Sequence, residues 1–434
     1  MKMLKIKMCL IGFLWINAGF AANVANIQHW QTNNGIPVYF IQAQQIPMLD
    51  LAVVFKAGAV YDGKNKGLAS LTNAMLNEGA GKYNVGQLAE QFDNIGAQFS
   101  NQVSKEMSIL SLRTLVNEKM LQPALQIFSL ILRQPSFPQK SINRIKKQML
   151  IGLKYSQQQP NYLASRAFAK AIWGLHPYAN PVDGSLQTIP HLSRKNIQQF
   201  YHHYYVAKNA LLAIVGDVSL LQAHKIAEQV VGKLPMGKAA TAIPVVKNNL
   251  PKEQHINFAS SQNAILIGEV GVKHNNKDRF PLLVGNYILG GGGLNSILMQ
   301  NVREKYGLTY GIYSQFSSLS QRGAFMISLR SRNDQAKRAI ELSKQYLQDY
   351  LRQGPTIKEL QAAKEFLMGS FPLVISSNSA LLQNLVYIGY YHLPLNFLDT
   401  YRDKIAKVTA LQIKTAFQRH VKIKRLVTMS VGGS

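Results

Sequence analysis

Apolar residues recur along residues 67–78 with the spacing of a helix. Three of them lie three and four residues apart: Leu68, Leu71 and Met75. This spacing places them on one stripe of an amphipathic helix. Ser70, Asn73 and Ala74 follow the same spacing, so their side chains share another face. The pattern therefore predicts a helix over residues 67–78 with a small, largely polar second face.

The segments on either side of this helix alternate between strand and helix patterns. Residues 27–41 carry Asn33-Asn34-Gly35 between two apolar runs, which is typical of a β-hairpin. Further strand patterns lie at 51–55, 96–104, 108–115 and 210–217. Helical patterns lie at 84–95, 120–133, 139–157, 163–172 and 197–205.

Residues 236–253 have no apolar periodicity and separate this region from a second one of similar outline. Strand patterns follow there at 264–270, 310–316, 324–329 and 426–431. Helical patterns lie at 280–289, 295–305, 335–352, 357–370 and 380–392. The chain therefore predicts an α+β fold of two similar halves, each an antiparallel-rich sheet packed with helices. We place the domains at 22–238 and 254–434, with a linker at 239–253.

The first 21 residues have the composition of a secretory signal peptide. Lys2, Lys5 and Lys7 precede an apolar run, and residues 19–21 form a small-x-small cleavage pattern. We therefore expect a periplasmic protein without a membrane span after removal of this leader, an uncleaved anchor being the alternative. Cys9, the single cysteine of the chain, lies in the same segment. The mature chain would then have neither disulfides nor thiolate metal sites.

The chain is strongly basic. Its 434 residues have a formal net charge of +27, and loss of the three leader lysines leaves 45 cations against 21 acids, or +24. Such an excess favours acidic partners or polyanionic surfaces. No RNA-binding or helix-turn-helix motif accompanies it, so we expect no nucleic-acid partner.

The first strand, turn and helix resemble the pitrilysin/insulinase/mitochondrial processing peptidase family of zinc proteases. That family combines an apolar strand, an A-G-x-x-x-[DE] turn and a helix that begins G-x-A-H-x-x-E-H-M-L. The frame of this motif is present in eight residues: Ala57, Gly58, Asp62, Gly67, Leu68, Ala69, Met75 and Leu76. The resemblance implies two peptidase-like domains arranged as a clamshell.

The same resemblance implies that the metal chemistry is absent. The family's two zinc-binding histidines correspond to Ser70 and Ala74, its catalytic glutamate to Asn73, and its third ligand to a position near Gly152. A catalytic zinc site needs about three ligands from His, Cys or carboxylate side chains. A hydroxyl, a carboxamide and a methyl group do not provide them. We therefore expect no metal and no cofactor.

Further family motifs follow in the family's order. His176, Pro177, Tyr178, Pro181 and Gly184 match an H-P-Y-x-x-P-x-x-G loop, and residues 210–217 match a strand that ends in V-G-D. The pattern formed by Gly96, Ala97 and Glu106 resembles the family's edge strand for extended substrates. It implies a peptide-binding segment of four residues: Ala97, Gln98, Phe99 and Ser100.

The second half contains R-E-x-x-G-L-x-Y, which resembles the family's arginine–tyrosine motif through Arg303 and Tyr310. A guanidinium and a phenol can hold a peptide carbonyl and stabilise developing negative charge. The preceding run Gly290–Gly293 lacks the Lys-Ser/Thr of a phosphate-binding loop. We interpret it as a glycine loop.

Some members of the family act as unlike pairs, in which one chain carries zinc and the other the arginine–tyrosine pair. The resemblance implies the second kind: a non-catalytic subunit that binds extended peptide beside a zinc-carrying homologous subunit. Two alternatives stay open. One is a non-enzymatic peptide-binding or scaffold protein of the cell envelope. The other is an enzyme with relocated metal ligands, although no H-x-x-E-H motif or acidic cluster favours it.

Overall fold

The computed structural model describes residues 26–433, so the predicted signal peptide lies outside the described residues. The strands are β1 (Gln28–Gln31), β2 (Pro37–Gln42), β3 (Met48–Phe55), β4 (Gly79–Ala80), β5 (Tyr83–Asn84), β6 (Gln98–Val103), β7 (Ser108–Leu115), β8 (Ala210–Gly216), β9 (Lys252–Asn257), β10 (Gln262–Val270), β11 (Gly311–Ser317), β12 (Ala324–Arg332) and β13 (Val427–Gly432).

The helices are α1 (Leu68–Ala74), α2 (Val85–Asn94), α3 (Glu118–Arg133), α4 (Gln139–Ser156), α5 (Pro160–Trp173), α6 (Arg194–Tyr204), α7 (Leu220–Val231), α8 (Arg279–Asn286), α9 (Ala336–Gln353), α10 (Ile357–Gly369), α11 (Phe371–Val374), α12 (Asn378–Tyr390), α13 (Tyr401–Ala406) and α14 (Ala410–His420). Two π-helical segments, Tyr287–Gly291 and Met299–Lys305, follow α8. No helix among residues 26–433 has the length and apolar character needed to cross a bilayer.

Two large sheets have the same strand order. The first is β1-β2-β8-β3-β7-β6, and the second is β11-β12-β10-β13-β9. Counted from the edge strands β6 and β11, each strand of the first sheet has a counterpart at the same position in the second sheet. Strand β1 is the exception, because the second sheet has five strands among the described residues. Each sheet also contains one parallel pair at the same place, β2 with β8 and β9 with β13. The remaining neighbours in both sheets are antiparallel. This confirms the predicted α+β architecture of two similar, antiparallel-rich halves.

The central strands of the first sheet are buried on both faces. All seven residues of β8 are buried, as are seven of the eight residues of β3. A strand covered on both sides needs apolar residues at every position, without the alternation of a half-exposed strand. This burial explains the unbroken apolar runs at 51–55 and 210–215.

The second face of each sheet is covered by a helix from the other half. In the first sheet, Leu385 and Ile388 of α12 pack in one apolar cluster with Val54 and Ala213. In the second sheet, Ala164 and Phe168 of α5 belong to one cluster with residues of β10 and β13, including Leu266 and Met429. The two halves therefore exchange helices, and neither sheet completes its core alone.

Two glycines permit this close packing. A Cβ built on Gly389 of α12 would lie 2.7 Å from the ring of Tyr39. A Cβ on Gly268 of β10 would lie 2.0 Å from the carbonyl oxygen of Phe325 and 3.0 Å from Phe168 of α5. A side chain on Gly389 would push α12 off the first sheet, and one on Gly268 would collide with the neighbouring strand β12 as well as with α5.

Glu106 joins the two halves. Its side chain is fully buried and accepts hydrogen bonds from the Tyr178 hydroxyl, from the backbone N–H of Ser320 at 3.1 Å and from the Ser320 hydroxyl at 2.9 Å. The Tyr391 hydroxyl donates to it at 3.3 Å. Residues 106 and 178 belong to the first half, and 320 and 391 to the second. A buried carboxylate is tolerated when its oxygens accept several hydrogen bonds, so this residue anchors the joint between the halves.

A buried histidine lies beside the joint. His274 accepts a hydrogen bond from Arg279 at Nε2 (3.1 Å), its Nδ1 lies 3.0 Å from the Tyr387 hydroxyl, and its ring stacks on Tyr391 at 3.9 Å. Burial, aided by the positive charge of Arg279, lowers the pKa of His274 to about 3. The imidazole is therefore neutral in the folded protein at neutral pH.

The segment between the halves has no helix or strand from residue 237 to residue 251, and β9 begins at Lys252. It is nevertheless bonded to both halves. Asn249 donates to the Arg425 carbonyl at 2.6 Å, and His176 of the H-P-Y loop lies 2.8 Å from the carbonyl of Pro244. The ring of His176 therefore has a structural role. The domain boundaries at 238 and 254 stay a prediction.

Some helices differ from their predicted extents. The helix expected over residues 67–78 ends at Ala74, and residues 75–77 form a turn before β4. Helices α7, α11, α13 and α14 are absent from the sequence prediction, although α7 and α14 begin with complete capping boxes at Ser219 and Thr409. Capping boxes are recognisable in sequence, so the first residues of α7 and α14 could be predicted from it.

We predict that Glu106→Gln destabilises the fold by roughly 2–3 kcal/mol, the value of a hydrogen bond to a charged group. The amide nitrogen of the glutamine, itself a donor, would face the N–H and O–H groups that now donate to the carboxylate oxygens. Urea unfolding measures the change. Glu341→Gln, at an exposed position on α9, is the control, and an equal effect of both variants would contradict the role of Glu106 as the joint.

His274 should make stability depend on pH. Because its folded pKa is about 3, against an ordinary value of 6.5, the unfolded chain binds the proton first. The contribution of His274 to stability is full above pH 6.5 and falls as the pH drops toward 3, by up to about 1.4 kcal/mol per pH unit. In His274→Gln, urea unfolding between pH 6.5 and 4.5 should show a shallower slope. His203→Gln, at an exposed site, should keep the wild-type slope, and an unchanged slope in His274→Gln would refute this origin.

Candidate functional site

Helix α1 begins at a buried carboxylate. Asp62 accepts hydrogen bonds from the backbone N–H groups of Gly67 and Ala69, both at 2.7 Å. These groups are among the unpaired donors at the start of the helix, where negative charge is stabilised. Burial raises the pKa of Asp62 to about 7, although the two N–H donors act in the opposite direction. The acid of the A-G-x-x-x-[DE] turn therefore caps this helix.

The H-P-Y loop contacts the same helix end through a pair of glycines. Gly67 and Gly184 both have left-handed backbones, with φ of +93° and +81°. A Cβ on Gly67 would lie 2.9 Å from the Cα of Gly184, so the loop can approach only because both side chains are absent. One turn later, the Ser70 hydroxyl donates to the Val182 carbonyl at 2.5 Å. Two sequence motifs more than a hundred residues apart thus form one structural unit.

Asn73 belongs to a buried hydrogen-bond network. Its amide donates to the Ser108 hydroxyl at 2.7 Å, and that hydroxyl lies 2.7 Å from the hydroxyl of Tyr205. Asn101 of β6 donates to the Asn73 carbonyl at 2.7 Å. Burial raises the pKa of Tyr205, which is therefore a neutral phenol. The position that the family resemblance equates with the catalytic glutamate thus links α1 to β6 and β7.

The residues on this face do not fit a zinc ion. The hydroxyl of Ser70 and the amide of Asn73 already have partners within the protein, and Ala74 offers a methyl group. Gly152 of α4, near the position of the family's third ligand, has no side chain, and a Cβ built there would meet no atom within 4 Å. Residues 26–433 contain no group of three or more His, Cys, Asp or Glu side chains placed to hold a metal. No reaction step through zinc can be assigned to this face of α1.

The predicted peptide-binding segment lies at a sheet edge. β6 pairs with β7 alone, so its other side has free backbone donors and acceptors. Gln98 and Ser100 are exposed, whereas Phe99 stacks on Phe92 at 5.7 Å. Ala97 is buried and precedes the strand. Three of the four residues therefore lie on β6, and two of these present side chains to solvent.

A groove of about 480 Å³ runs between this edge strand and the exchanged helix α12. Gln98, Ser100 and Gln102 line its outer side, and Gln383 of α12 lies opposite. Arg113 forms a two-point ion pair with Asp50 in the same groove, with N–O distances of 2.7 and 3.3 Å. The groove is thus lined by uncharged polar side chains along β6, and the positive charge of Arg113 is balanced by Asp50.

The second half has a groove in the corresponding place. It measures about 410 Å³ and lies beside the edge strand β11, with the exchanged helix α5 on its other side. Tyr310 lines it and is 87% exposed; Tyr313 and Arg330 lie next to it. No hydrogen bond within residues 26–433 holds the Tyr310 hydroxyl, so it is available to a ligand.

Arg303 lies in the π-helical segment that precedes this strand. Its guanidinium is 3.7 Å from the carboxylate of Glu304, and about a third of the side chain is exposed. Arg303 is not among the residues that line the Tyr310 groove. The structure therefore leaves both side chains accessible without bringing them into one cavity.

The glycine run has a packing role. A Cβ on Gly290 would lie 2.6 Å from the backbone nitrogen of Ser314, and one on Gly292 would lie 2.8 Å from the carbonyl oxygen of Tyr287. Gly290 allows the π-helical segment to lie against β11, and Gly292 allows the chain to fold closely onto Tyr287 of the same segment. Close packing therefore accounts for these two glycines of the run.

The sequence prediction missed the role of Glu106. The family pattern placed it with the edge strand, whereas its side chain contacts the other half. Its signal was weak, because a single acid between two strands is ordinary. Ser108 and Tyr205 were also missed, since nothing in the sequence relates them to Asn73.

Models of one peptidase family match most of the chain. The model described as insulinase (peptidase family M16) matches residues 38–185, and the model described as peptidase M16 inactive domain matches residues 191–367. A non-peptidase homologue of Helicobacter pylori, YmxG, is 26% identical over 409 residues, which cover 92% of this chain and 93% of the relative. An uncharacterised zinc protease of Bacillus subtilis, which is also called YmxG, is 24% identical over 361 residues, which cover 82% of this chain and 87% of that relative.

Solved structures agree with these matches. A peptidase M16 inactive domain from Pseudomonas fluorescens has a TM-score of 0.92 and 39% identity, over 94% of this chain and 98% of that one. A protease from Helicobacter pylori has a TM-score of 0.85 at 16% identity, over 94% and 100% of the two chains, and shares the fold. The family resemblance in the sequence is thus confirmed, and the chain belongs to peptidase family M16, the insulinase family.

Proposed function

We propose that this protein is a zinc-free M16 subunit that binds extended peptide and completes a peptidase chamber with a zinc-carrying homologue in the periplasm. One observation carries the proposal. The α1 face that would hold zinc is engaged in internal hydrogen bonds, whereas the edge strand β6 and the Tyr310 hydroxyl are open to a ligand. The chain has lost the means of hydrolysis and kept the surfaces that contact a peptide.

Peptide binding at β6 would follow strand addition. An extended peptide that pairs with an exposed edge gains main-chain hydrogen bonds, while alternate side chains enter pockets on either face of the sheet. The groove beside α12 receives one set of side chains. A second pocket of about 330 Å³, lined by Leu88, Phe92 and Phe99, lies on the opposite face. An apolar side chain fits that second pocket.

Arg303 and Tyr310 would act on the partner's substrate. Both side chains are accessible, and neither is held by a buried ion pair. A guanidinium and a phenol can donate to a peptide carbonyl and to the charge that develops on it. The zinc-binding residues would come from the partner chain.

Two relatives support an inactive subunit, since one is a non-peptidase homologue and another an M16 inactive domain. Isolation of the native protein with a C-terminal tag tests the partnership. We expect a stoichiometric complex with a zinc-bearing M16 homologue, detected by mass spectrometry and metal analysis. A lone homo-oligomer without zinc or peptidase activity would overturn the proposal in favour of a peptide-binding scaffold.

Arg303→Ala should reduce turnover by the reconstituted pair by about 10²–10³-fold, the usual effect of removing one donor to a developing oxyanion. Zinc content and complex formation should not change, because the Arg303 side chain is partly exposed and takes part in no buried ion pair among the described residues of this chain. Initial rates on a fluorogenic peptide give the result. Arg338→Ala, which removes an exposed arginine of α9, is the matched control. Equal rates in the two variants would remove this role from Arg303.

Ser100→Trp should weaken binding of an unstructured peptide at least about tenfold, because the indole would fill the groove between β6 and α12. Fluorescence anisotropy of a labelled peptide measures the affinity of the isolated subunit. Ser317→Trp places the same side chain at an exposed position of the other edge strand, β11, and should bind as wild type does. Loss of affinity only in Ser317→Trp would move the peptide site to the second half.

A further inference from the structure

A groove on the second half lies apart from both edge strands. It measures about 860 Å³ and is bounded by residues 274–281, by the loop 392–397 and by residues 404–419 of α13, α14 and their connection. This volume lies in the range of sites for small molecules. None of the residues assigned above to peptide binding lines it.

Its walls are largely apolar. Phe280, Phe397 and Val408 line the groove, and Leu411 of α14 projects into it while remaining 73% exposed. His392, on the adjoining loop, has a left-handed backbone with φ of +51°, which is uncommon for a residue with a side chain. The groove thus offers an apolar surface beside a loop whose backbone is strained at His392.

An arginine without an acidic partner lies in this groove. The Arg279 guanidinium is within 4.5 Å of the Phe397 ring centre and 5.1 Å of the Tyr387 ring centre. Two hydrogen bonds tie it to His274 and to the Tyr387 hydroxyl. A guanidinium has five N–H donors, and within residues 26–433 no carboxylate lies within ion-pair distance of this one. A partly desolvated cation of this kind is suited to an anion.

Further cations surround it. Lys404, Lys407 and Lys277 line the groove and form no ion pair among the described residues, whereas Arg419 is paired with Asp278. Asp278 is the one acid of the lining. The Lys404 ammonium also lies 5.5 Å from the centre of the Phe280 ring, so positive charge and apolar surface are adjacent.

We propose that this groove binds a small anionic amphiphile, with its head group at Arg279, Lys404 and Lys407 and its apolar chain along Phe280, Phe397 and Leu411. The head group is a carboxylate or a phosphate, since either accepts from a guanidinium and neighbouring ammonium groups. A polyanion without an apolar part would leave the aromatic and aliphatic wall in water. A neutral hydrocarbon would leave Arg279 without a counter-charge.

Calorimetry on the full mature chain tests the site. Dodecanoate and dodecyl phosphate, each below its micelle concentration, should bind with one site per chain, and comparison of the two identifies the preferred head group. Dodecyl maltoside and inorganic phosphate should each bind at least about tenfold more weakly, because each lacks half of the recognition. Equal binding of the maltoside, or binding of only a glutamate-rich peptide, would overturn the proposal.

Matched variants locate the binding. Lys404→Gln with Lys407→Gln should weaken dodecanoate binding about tenfold or more, whereas Lys337→Gln with Lys358→Gln removes the same charge from exposed sites outside the groove and should have no effect. Leu411→Glu should abolish binding, and Ile357→Glu, at a position 82% exposed elsewhere, should not. Thermal melting verifies that each variant is folded. Equal effects of groove and control variants would refute the site.

Discussion

Each sheet in this molecule has two faces to bury, and each half supplies its own sheet with helices for only one of them. The other face is covered by the exchanged helix, α12 on the first sheet and α5 on the second. Burial of apolar surface is the main source of folded stability, so the halves depend on each other. Glu106, which accepts hydrogen bonds from both halves, adds a polar tie at the same joint.

The exchange also creates the grooves that the proposed function uses. A helix from the other half lies beside each edge strand, and the space between helix and strand forms the groove. The relation of the two halves therefore shapes both peptide-facing surfaces. A substitution at the joint would therefore change the shape of both grooves as well as the stability of the fold, even when every groove residue is left unchanged.

The polar face of α1 has a structural role, because its side chains are held by hydrogen bonds within the protein. Ser70 and Asn73 bond to the H-P-Y loop and to β7, while the Asp62 cap and the Gly67–Gly184 contact hold the helix where the family motif has it. The frame of the motif therefore serves to pack and cap α1.

The sequence alone determined the family, the two-half α+β architecture and the chemical character of the α1 face, because these follow from local periodicity, turn residues and residue types. It also indicated β6 as a strand and Tyr310 as a candidate contact. Tertiary structure decided the exchange of helices, the buried roles of Glu106 and Asn73, and the basic groove around Arg279. The hydrogen bonds that tie Asn73 and Glu106 to other elements join residues from 28 to 285 positions apart, and periodicity carries no information about which distant side chains meet. The physical reason is that burial, which sets the hydrogen-bond partners and the pKa of each group, belongs to the packed molecule and not to any segment.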